Sequence, residues 1–432
     1  MNIFVPLTKQ ARMKVFKFGG ASVNSIDRIR QVGNILALYQ DQQLVVVISA
    51  MGKTTNALEQ VAETFFSGNT AKAQEVFGNI REQHLQIARD LLTVSLPACE
   101  QQLAAFFTEA EWLIYELPTR AYDYYYDQLV CIGELLSTTI VSFYLGEAGI
   151  NNTWFDVRDI IRTDDNFRDA NIDWPFTEQR VQELVRPLFL ESNVLLTQGF
   201  IGATDENEST TLGREGSDYT GAVFANMLDA EAQLIWKDVE NVMNADPKKF
   251  PDAQPIPELN YTEVIEMAYY GAQVIHPKTI KPLQNKNIPL FVKCFLDPAL
   301  PGTMIHNRPI HDLPPIIVVK EKQVLVELRT RDFSFVGETH VAALYSLFDS
   351  LKIKPNLTQN AAISFIAVLD DKAERLQQLG FDAAELFEVT MLRELTLLTI
   401  RHYTGEVMDQ LTGEKKVLLR QQTPDTVQLL LA

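Results

Sequence analysis

The stretch Lys14-Val15-Phe16-Lys17-Phe18-Gly19-Gly20 decides how the chain reads. A short apolar strand runs into a glycine pair. Ser25 then stands where a helix cap belongs, ahead of IDRIRQVGNILALYQ, whose Ile26, Ile29, Ile35, Leu36 and Leu38 fall on one stripe. Next comes LVVVISA, residues 44–50, a β-branched run suited to a strand buried on both faces. Strand, loop, helix and buried strand form a βαβ unit, which predicts a parallel sheet with helices on its faces.

Working outward, helical patterns fill residues 58–143, clearest in LEQVAETFF, EQHLQIARDLL and LLSTTIVSFYL. Buried-strand signals return at WFDV from Trp154, NVLLTQGFIG from Asn193 and QLIWKDV from Gln233. One large α/β domain over 14–305 accounts for these alternations, preceded by an N-terminal extension, 1–13, in which Met13 is an alternative start. Pro298, Pro301, Pro309, Pro314 and Pro315 cluster near its far edge. Beyond them VLVELRT from Val324 resembles TLLTIRH from Thr396, a faint repeat that predicts two small ferredoxin-like βαββαβ modules. The first, with its linker, spans 306–395. The second, 396–432, is too short for a whole module and needs a borrowed strand, for which 315–320 is the candidate.

Composition narrows the function. The 432 residues carry a net charge of -18, which argues against nucleic acid as a partner, because phosphate backbones are bound by clustered Lys and Arg. A few local cations still suffice for a small anionic ligand. Cys99, Cys131 and Cys294 are far apart and form no CxxC or Cys/His cluster, so neither a disulfide framework nor a metal site is expected. No apolar run is expected to span a membrane, MNIFVPLTKQAR does not read as a signal peptide, and a cytoplasmic protein is the expectation.

Two stretches carry chemistry. Lys17-Phe18-Gly19-Gly20-Ala21-Ser22 offers a glycine turn, a helix start and a cation, the needs of a phosphate. Alone, such a turn is usually structural, and no GxxxxGK[ST], HRD or DFG motif is present. In Thr210-Thr211-Leu212-Gly213-Arg214-Glu215-Gly216-Ser217-Asp218-Tyr219-Thr220-Gly221, the glycines allow close backbone approach and Arg214 can grip a carboxylate bidentately. A polar capped loop is the bland alternative.

Together KFGGASV and TTLGREGSDYT resemble the aspartate kinase branch of the amino acid kinase family. VVVISAMGKTTNAL, GELLS, WFDVRDIIRTDDNF, TQGFIG, IWKDVENVMNADPK, EMAYYGAQVIHPKTI and PGTMI follow in the order that the family shows. The resemblance implies a three-layer α/β/α kinase domain with a mainly parallel sheet, followed by paired ferredoxin-like ACT modules, the second shortened. It implies transfer of the ATP γ-phosphoryl group to the side-chain carboxylate of L-aspartate, with Mg²⁺ brought by the nucleotide and a homodimer formed through the ACT modules.

The resemblance also assigns roles. Lys17 would bridge the β- and γ-phosphates, with Phe18, Gly19, Gly20 and Ser22 lining the phosphate loop and Asp218 orienting Lys17. Arg214 would clamp the substrate α-carboxylate and Glu134 its ammonium, while Ser49, Thr55, Glu215, Gly216 and Ser217 complete the substrate loops. Lys237, Asp238, Met243, Lys248, Gln273 and Val274 match nucleotide contacts. Four positions depart from the commoner pattern: Asn241 for glycine, Met243 for an aromatic, Lys248 for arginine and Gln273 for lysine. Lys248 keeps charge without the bidentate fork, and a weaker ATP site is expected. His276 reads as a capping residue, and Tyr122 with Tyr124–Tyr126 as core or dimer surface. The loop Arg331–Thr339 lacks the small polar residues that line an effector pocket in relatives, so weak or absent lysine inhibition is expected.

Other readings remain at this level. Glutamate, acetylglutamate, carbamate or UMP could be the acceptor on the same fold, or a degenerate kinase domain could serve as an amino-acid sensor. A fused homoserine dehydrogenase is not expected, since no GxGxxG βαβ unit occurs.

Overall fold

The computed structural model describes residues 13–432, so all but Met13 of the predicted extension lies outside the described residues. The described chain forms two compact units. One is the chain up to Val242 with Pro255–Ile265 and Val274–Ile310. The other is Met243–Gln254, Glu266–Gln273 and His311–Ala432.

In the first unit, β1 (Met13–Phe18), 3₁₀ turn Gly20–Val23, α1 (Ile26–Ala37) and β2 (Gln43–Ile48) realise the βαβ reading. The Ser25 side chain accepts from the Arg28 N–H at 3.4 Å, and Ile29, Val32, Ile35 and Leu36 are the buried stripe. The sheet continues with β3 (Asn152–Trp154), β4 (Val194–Gln198), β7 (Ala232–Lys237), β10 (Glu258–Asn260), β11 (Leu290–Cys294) and β12 (Thr303–His306). The intervening short strands are β5 (Ile201–Ala203), β6 (Ser209–Thr211), β8 (Val242–Met243) and β9 (Pro255–Ile256). Strand order is β10-β12-β11-β7-β1-β2-β4-β3, and every neighbouring pair is parallel except β11 with β12. Val15, Phe16, Phe18 and Val45–Ile48 are wholly buried, as a parallel sheet covered on both faces requires.

The chain leaves β1 toward β2 and β4, then returns through β7 on the other side of β1. That makes the β1/β7 boundary the topological switch point, where open α/β sheets bind ligands beyond the carboxyl ends of their strands.

Around the sheet run α2 (Thr54–Phe66), α3 (Thr70–Leu91), α4 (Leu96–Tyr115), α5 (Tyr122–Val130), α6 (Ile132–Glu147), α7 (Trp174–Arg180), α8 (Gly216–Met227) and α10 (Pro277–Lys286). Helix α9 (Tyr261–Tyr270) lies between β10 and α10 in the chain. Tyr122–Glu147 is a 26-residue helical stretch long and apolar enough to cross a membrane by length and composition. Most of it is buried inside the fold, so its apolar faces meet protein. Tyr125 and Tyr126 within it are core residues.

The second unit is built on a six-stranded antiparallel sheet, β14-β15-β13-β16-β18-β17. Two 15-residue strands, β13 (Ile316–Thr330) and β16 (Phe387–Arg401), form its spine. The later half of β13, α11 (Glu338–Ser350), β14 (Leu357–Asn360), β15 (Ser364–Asp370), α12 (Ala373–Ala383) and the earlier half of β16 follow a βαββαβ path. Its core is Val324, Val326, Leu328, Leu344, Phe348, Phe365 and Leu376. The later half of β16, α13 (Gly405–Thr412), β17 (Val417–Gln422) and β18 (Thr426–Leu431) follow a βαββ path. On the other side of that half of β16, Ile316–Lys320 pairs with Arg401–Leu397. A bulge between Lys320 and Gln323 divides β13 between the two halves.

Candidate active site

The carboxyl ends of β1, β2 and β7 bring the phosphate-loop and substrate-loop residues together. Lys17 is the penultimate residue of β1, and its Nζ lies 2.6 Å from Asp218 Oδ1 in the first turn of α8. Lys237, at the end of β7, lies 3.8 Å from the other oxygen, Oδ2, and donates to the Val274 carbonyl at 2.7 Å. Burial alone would raise the Asp218 pKa, but the two ammonium groups outweigh it and hold the carboxyl below its usual range. A buried carboxylate thus fixes two cations at the switch point.

The loops around this triad are knitted by backbone. Ser49 N–H donates to Phe18 O at 3.1 Å and Gly52 N–H to Gly20 O at 2.9 Å, binding the turn after β1 to the turn after β2. A Cβ on Gly20 would lie 2.6 Å from the Ala50 carbonyl, so only glycine fits. Ser22 is buried, and its N–H closes the turn onto Gly19 O at 2.8 Å. The Phe18 ring is in the core, stacked on Trp236 at 6.0 Å, which leaves only its backbone for a ligand. Ser49 Oγ donates to Ser217 Oγ at 3.0 Å, joining the two substrate loops, and Thr55 is half-buried in the first turn of α2.

Glu134, in the first turn of α6, is 2% exposed. Its Oε1 accepts the Ala50 N–H at 3.4 Å, while Oε2 is buried without a partner among the described residues. Burial pushes this carboxyl up to about 8 despite that N–H and the charge of Lys17. Gly133 permits the approach, since a Cβ there would meet Leu58, Ala50 and Thr54 at 3.0–3.3 Å. A buried carboxyl group with one oxygen left unpartnered invites a cation from a ligand.

Arg214 is exposed, and among the described residues it makes no ion pair. Glu215 next to it is left-handed, φ 54°, and its carboxylate accepts the His276 N–H at 3.0 Å. Its side chain is therefore engaged in tying the substrate loop to the start of α10. His276 caps that helix, its Nδ1 accepting the Lys278 N–H at 3.2 Å. Gly216, Ser217 and Asp218 are buried in the opening turn of α8. Asp238 is ion-paired with Arg28 of α1.

Met243, Lys248 and Gln273 fall in the second unit, whereas Lys237, Asp238 and Val274 fall in the first. Met243 is half-buried, and Lys248 and Gln273 are exposed. The sequence reading passed over Lys278, which donates to Asp169 Oδ1 at 2.8 Å and to Leu212 O at 3.1 Å and so ties α10 to the substrate loop. It also passed over two buried polar residues on α5, Asp127 and Gln128. The signal for them was present as hydrophilic positions inside an apolar helix.

The arrangement places a cation pair at the ends of β1 and β7, beside an ordered glycine turn and a carboxyl group with one unpartnered oxygen, a set suited to joining a polyphosphate to an amino acid. The sequence profile of the amino acid kinase family matches residues 12–294. The chain belongs to the amino acid kinase family. It is 31% identical over 409 residues to Arabidopsis thaliana chloroplastic aspartokinase 2, covering 91% of this chain and 74% of that protein. It is 30% identical over 361 residues to Escherichia coli lysine-sensitive aspartokinase 3, covering 82% and 78%. The crystal structure of E. coli aspartokinase III with aspartate and ADP superposes with a TM-score of 0.80 at 28% identity, covering 97% of this chain and 96% of that one. Within its family, the chain is grouped with the aspartokinases.

Proposed function

We propose that this chain transfers the γ-phosphoryl group of ATP to the β-carboxylate of L-aspartate, giving 4-phospho-L-aspartate and ADP. This is the first step of the route to lysine, threonine and methionine. The observation that carries the reading is the Lys17–Asp218–Lys237 triad at the switch point, with ammonium–carboxylate separations of 2.6 and 3.8 Å. The E. coli aspartokinase III complex with aspartate and ADP supports both substrates.

A substrate carboxylate oxygen forms a bond to the γ-phosphorus as the bond from that phosphorus to the bridging oxygen of ADP breaks. With an unperturbed pKa near about 3.9 the nucleophile is already ionised, so no general base is needed. The barrier lies in bringing two anions together, and fixed cations with oriented N–H groups supply what lowers it. Lys17 serves the transferring phosphoryl group, and Asp218 keeps it charged and aimed. Gly19, Gly20 and Ser22 offer backbone and hydroxyl donors, and Ser49, Thr55, Gly216 and Ser217 frame the acceptor. Glu134 takes the ammonium, Arg214 takes the α-carboxylate, and Glu215 orders the loop between them. Lys237, Asp238, Val274 and the backbone of Phe18 face the nucleotide. Met243, Lys248 and Gln273 are assigned to it from the motifs they occupy.

Among the described residues no three His, Cys, Asp or Glu side chains gather as a metal cradle. With Asp218 already between two lysines, the donor set fits Mg²⁺ carried on the phosphates, with Asp218 the carboxylate at hand. When bound, that ion would neutralise phosphate charge. We also infer a division into a catalytic domain over 14–305 and ACT modules over 306–395 and 396–432, with homodimerisation through those modules. Three buried, unpaired cysteines suit a reducing cytoplasm.

Hydroxylamine trapping with ATP, Mg²⁺ and an amino-acid panel tests the reading. Aspartyl hydroxamate is expected; a larger yield from glutamate, or none from any amino acid, rejects it.

A further inference from the structure

Helices α5 and α6 run almost without a break through Cys131, whose backbone is helical at φ −58° and ψ −27°. Glu134 lies seven residues after Asp127, so the two side chains share a face about 10 Å apart along the axis. Asp127 is wholly buried, and three donors from two separate segments converge on it. Its Oδ2 accepts the Thr211 N–H at 2.8 Å and the Arg168 N–H at 2.9 Å, and its Oδ1 accepts the Thr211 hydroxyl at 2.7 Å. Its neighbour Gln128 grips Ser209 from both sides. The amide donates to Ser209 O at 2.7 Å, and Ser209 N–H donates to the amide oxygen at 3.0 Å.

These contacts do for β6 what a neighbouring strand would do. Strand β6 pairs with β5 on one edge, Ile201 opposite Thr211 and Ala203 opposite Ser209, and side chains of α5 satisfy backbone groups that this pairing leaves. Thr211 is held again through its carbonyl, which accepts the Ala170 N–H at 3.0 Å. Arg168, whose N–H Asp127 holds, is left-handed at φ 72°. Asp169 beside it leaves no room for a Cβ on Gly213, which would lie 2.4 Å from Oδ1. The chain then reaches Arg214 three residues beyond Thr211.

We propose that Asp127, assisted by Gln128, is a positioning residue for the amino-acid substrate, seating the strand that delivers Arg214 on the same helical rail that carries Glu134. The inference rests on the reading of Arg214 and Glu134 as the two grips on the amino acid. One rigid element then sets the relation between them. The nucleotide side is built on β1 and β7, whereas the hydrogen bonds of Asp127 go to Thr211 and Arg168.

Asp127→Ala, Asp127→Asn and Thr211→Val test it in the full chain, with steady-state KM for aspartate and for ATP and with trypsin cleavage after the exposed Arg214. With the buried Thr211 N–H and the part-buried Arg168 N–H left without an acceptor, Asp127→Ala is expected to raise the aspartate KM at least about tenfold and leave the ATP KM within about twofold. Cleavage after Arg214 is expected to quicken at least about fivefold as the loop loosens. Asp127→Asn should recover part of both, since its amide oxygen can take the two N–H groups while the Thr211 hydroxyl turns to accept from its amide. Thr211→Val should shift the aspartate KM a few-fold, and with Asp127→Asn it decides the matter if the alanine variant does not fold. Equal shifts of both KM values, or unchanged aspartate KM and unchanged cleavage, would overturn the proposal. Wild-type protein inert toward aspartate would instead refute the function, and cleavage after Arg214 would still judge the positioning role.

Discussion

Replacing Glu134 by glutamine should remove a pH dependence that the wild-type chain owes to one buried carboxyl. In the ligand-free protein that group titrates at about 8 because it is buried, with the Ala50 N–H and the Lys17 charge offsetting only part of the cost. At pH 7 it is therefore mostly protonated, and binding an ammonium requires its ionisation. Each pH unit below about 8 then costs aspartate binding roughly 1.4 kcal/mol, a tenfold loss of affinity. The wild-type KM for aspartate should fall about tenfold per unit from pH 6 toward 8 and level off above, whereas Glu134→Gln should be weak and flat. Stability moves the opposite way. The folded state keeps this proton up to about pH 8 and the unfolded state releases it near 4.5, so ligand-free stability falls as pH rises through that window. Glutamine in its place should flatten the loss, and the variant should melt above wild type at pH 8. Steady-state kinetics and thermal melts at matched ionic strength read both effects. A wild-type aspartate KM unchanged between pH 6 and 8 would refute the reasoning.

Three further outcomes follow from the same geometry. Arg214→Lys keeps the charge but loses the fork, and should raise the aspartate KM by about tenfold with kcat little changed; isothermal titration with aspartate gives an independent reading. Gly20→Ala must displace the Ala50 carbonyl from 2.6 Å, and should destabilise the fold by about 1–3 kcal/mol, measured by urea unfolding. In the loop Arg331–Thr339, Phe333 and Phe335 are 73% and 78% exposed and no small polar pocket is expected, so sub-millimolar lysine or threonine should leave the rate unchanged. Inhibition by either in that range would contradict this.

The βαβ start was legible because each part is local: a β-branched strand, a capped helix and a glycine turn announce themselves within a few residues. The pairing of Lys17 with Asp218 joins positions 201 apart in sequence, beyond the reach of any local pattern; the family resemblance suggested it. The third member of the triad, Lys237, is close because β7 returns beside β1, which is a property of strand order. Asp127 and Gln128 stand out as polar positions, but their role could not be read for a different reason. A polar residue in an apolar helix has no periodic signature, and its meaning appears only when its partners, Thr211 and Ser209, arrive from 84 and 81 residues away. The same hydrophobic context made Tyr122–Glu147 resemble a membrane span in composition, although its surroundings are protein. The grouping of Met243–Gln254 and Glu266–Gln273 with the C-terminal unit likewise has no local marker.

Phosphoryl transfer depends on the cation that Asp218 holds at the end of β1. Single-turnover phosphoryl transfer to aspartate by Lys17→Ala, at saturating ATP and with nucleotide binding verified separately, tests it most directly. A rate reduced by about a thousandfold or more is predicted, and a rate within about tenfold of wild type would contradict the account.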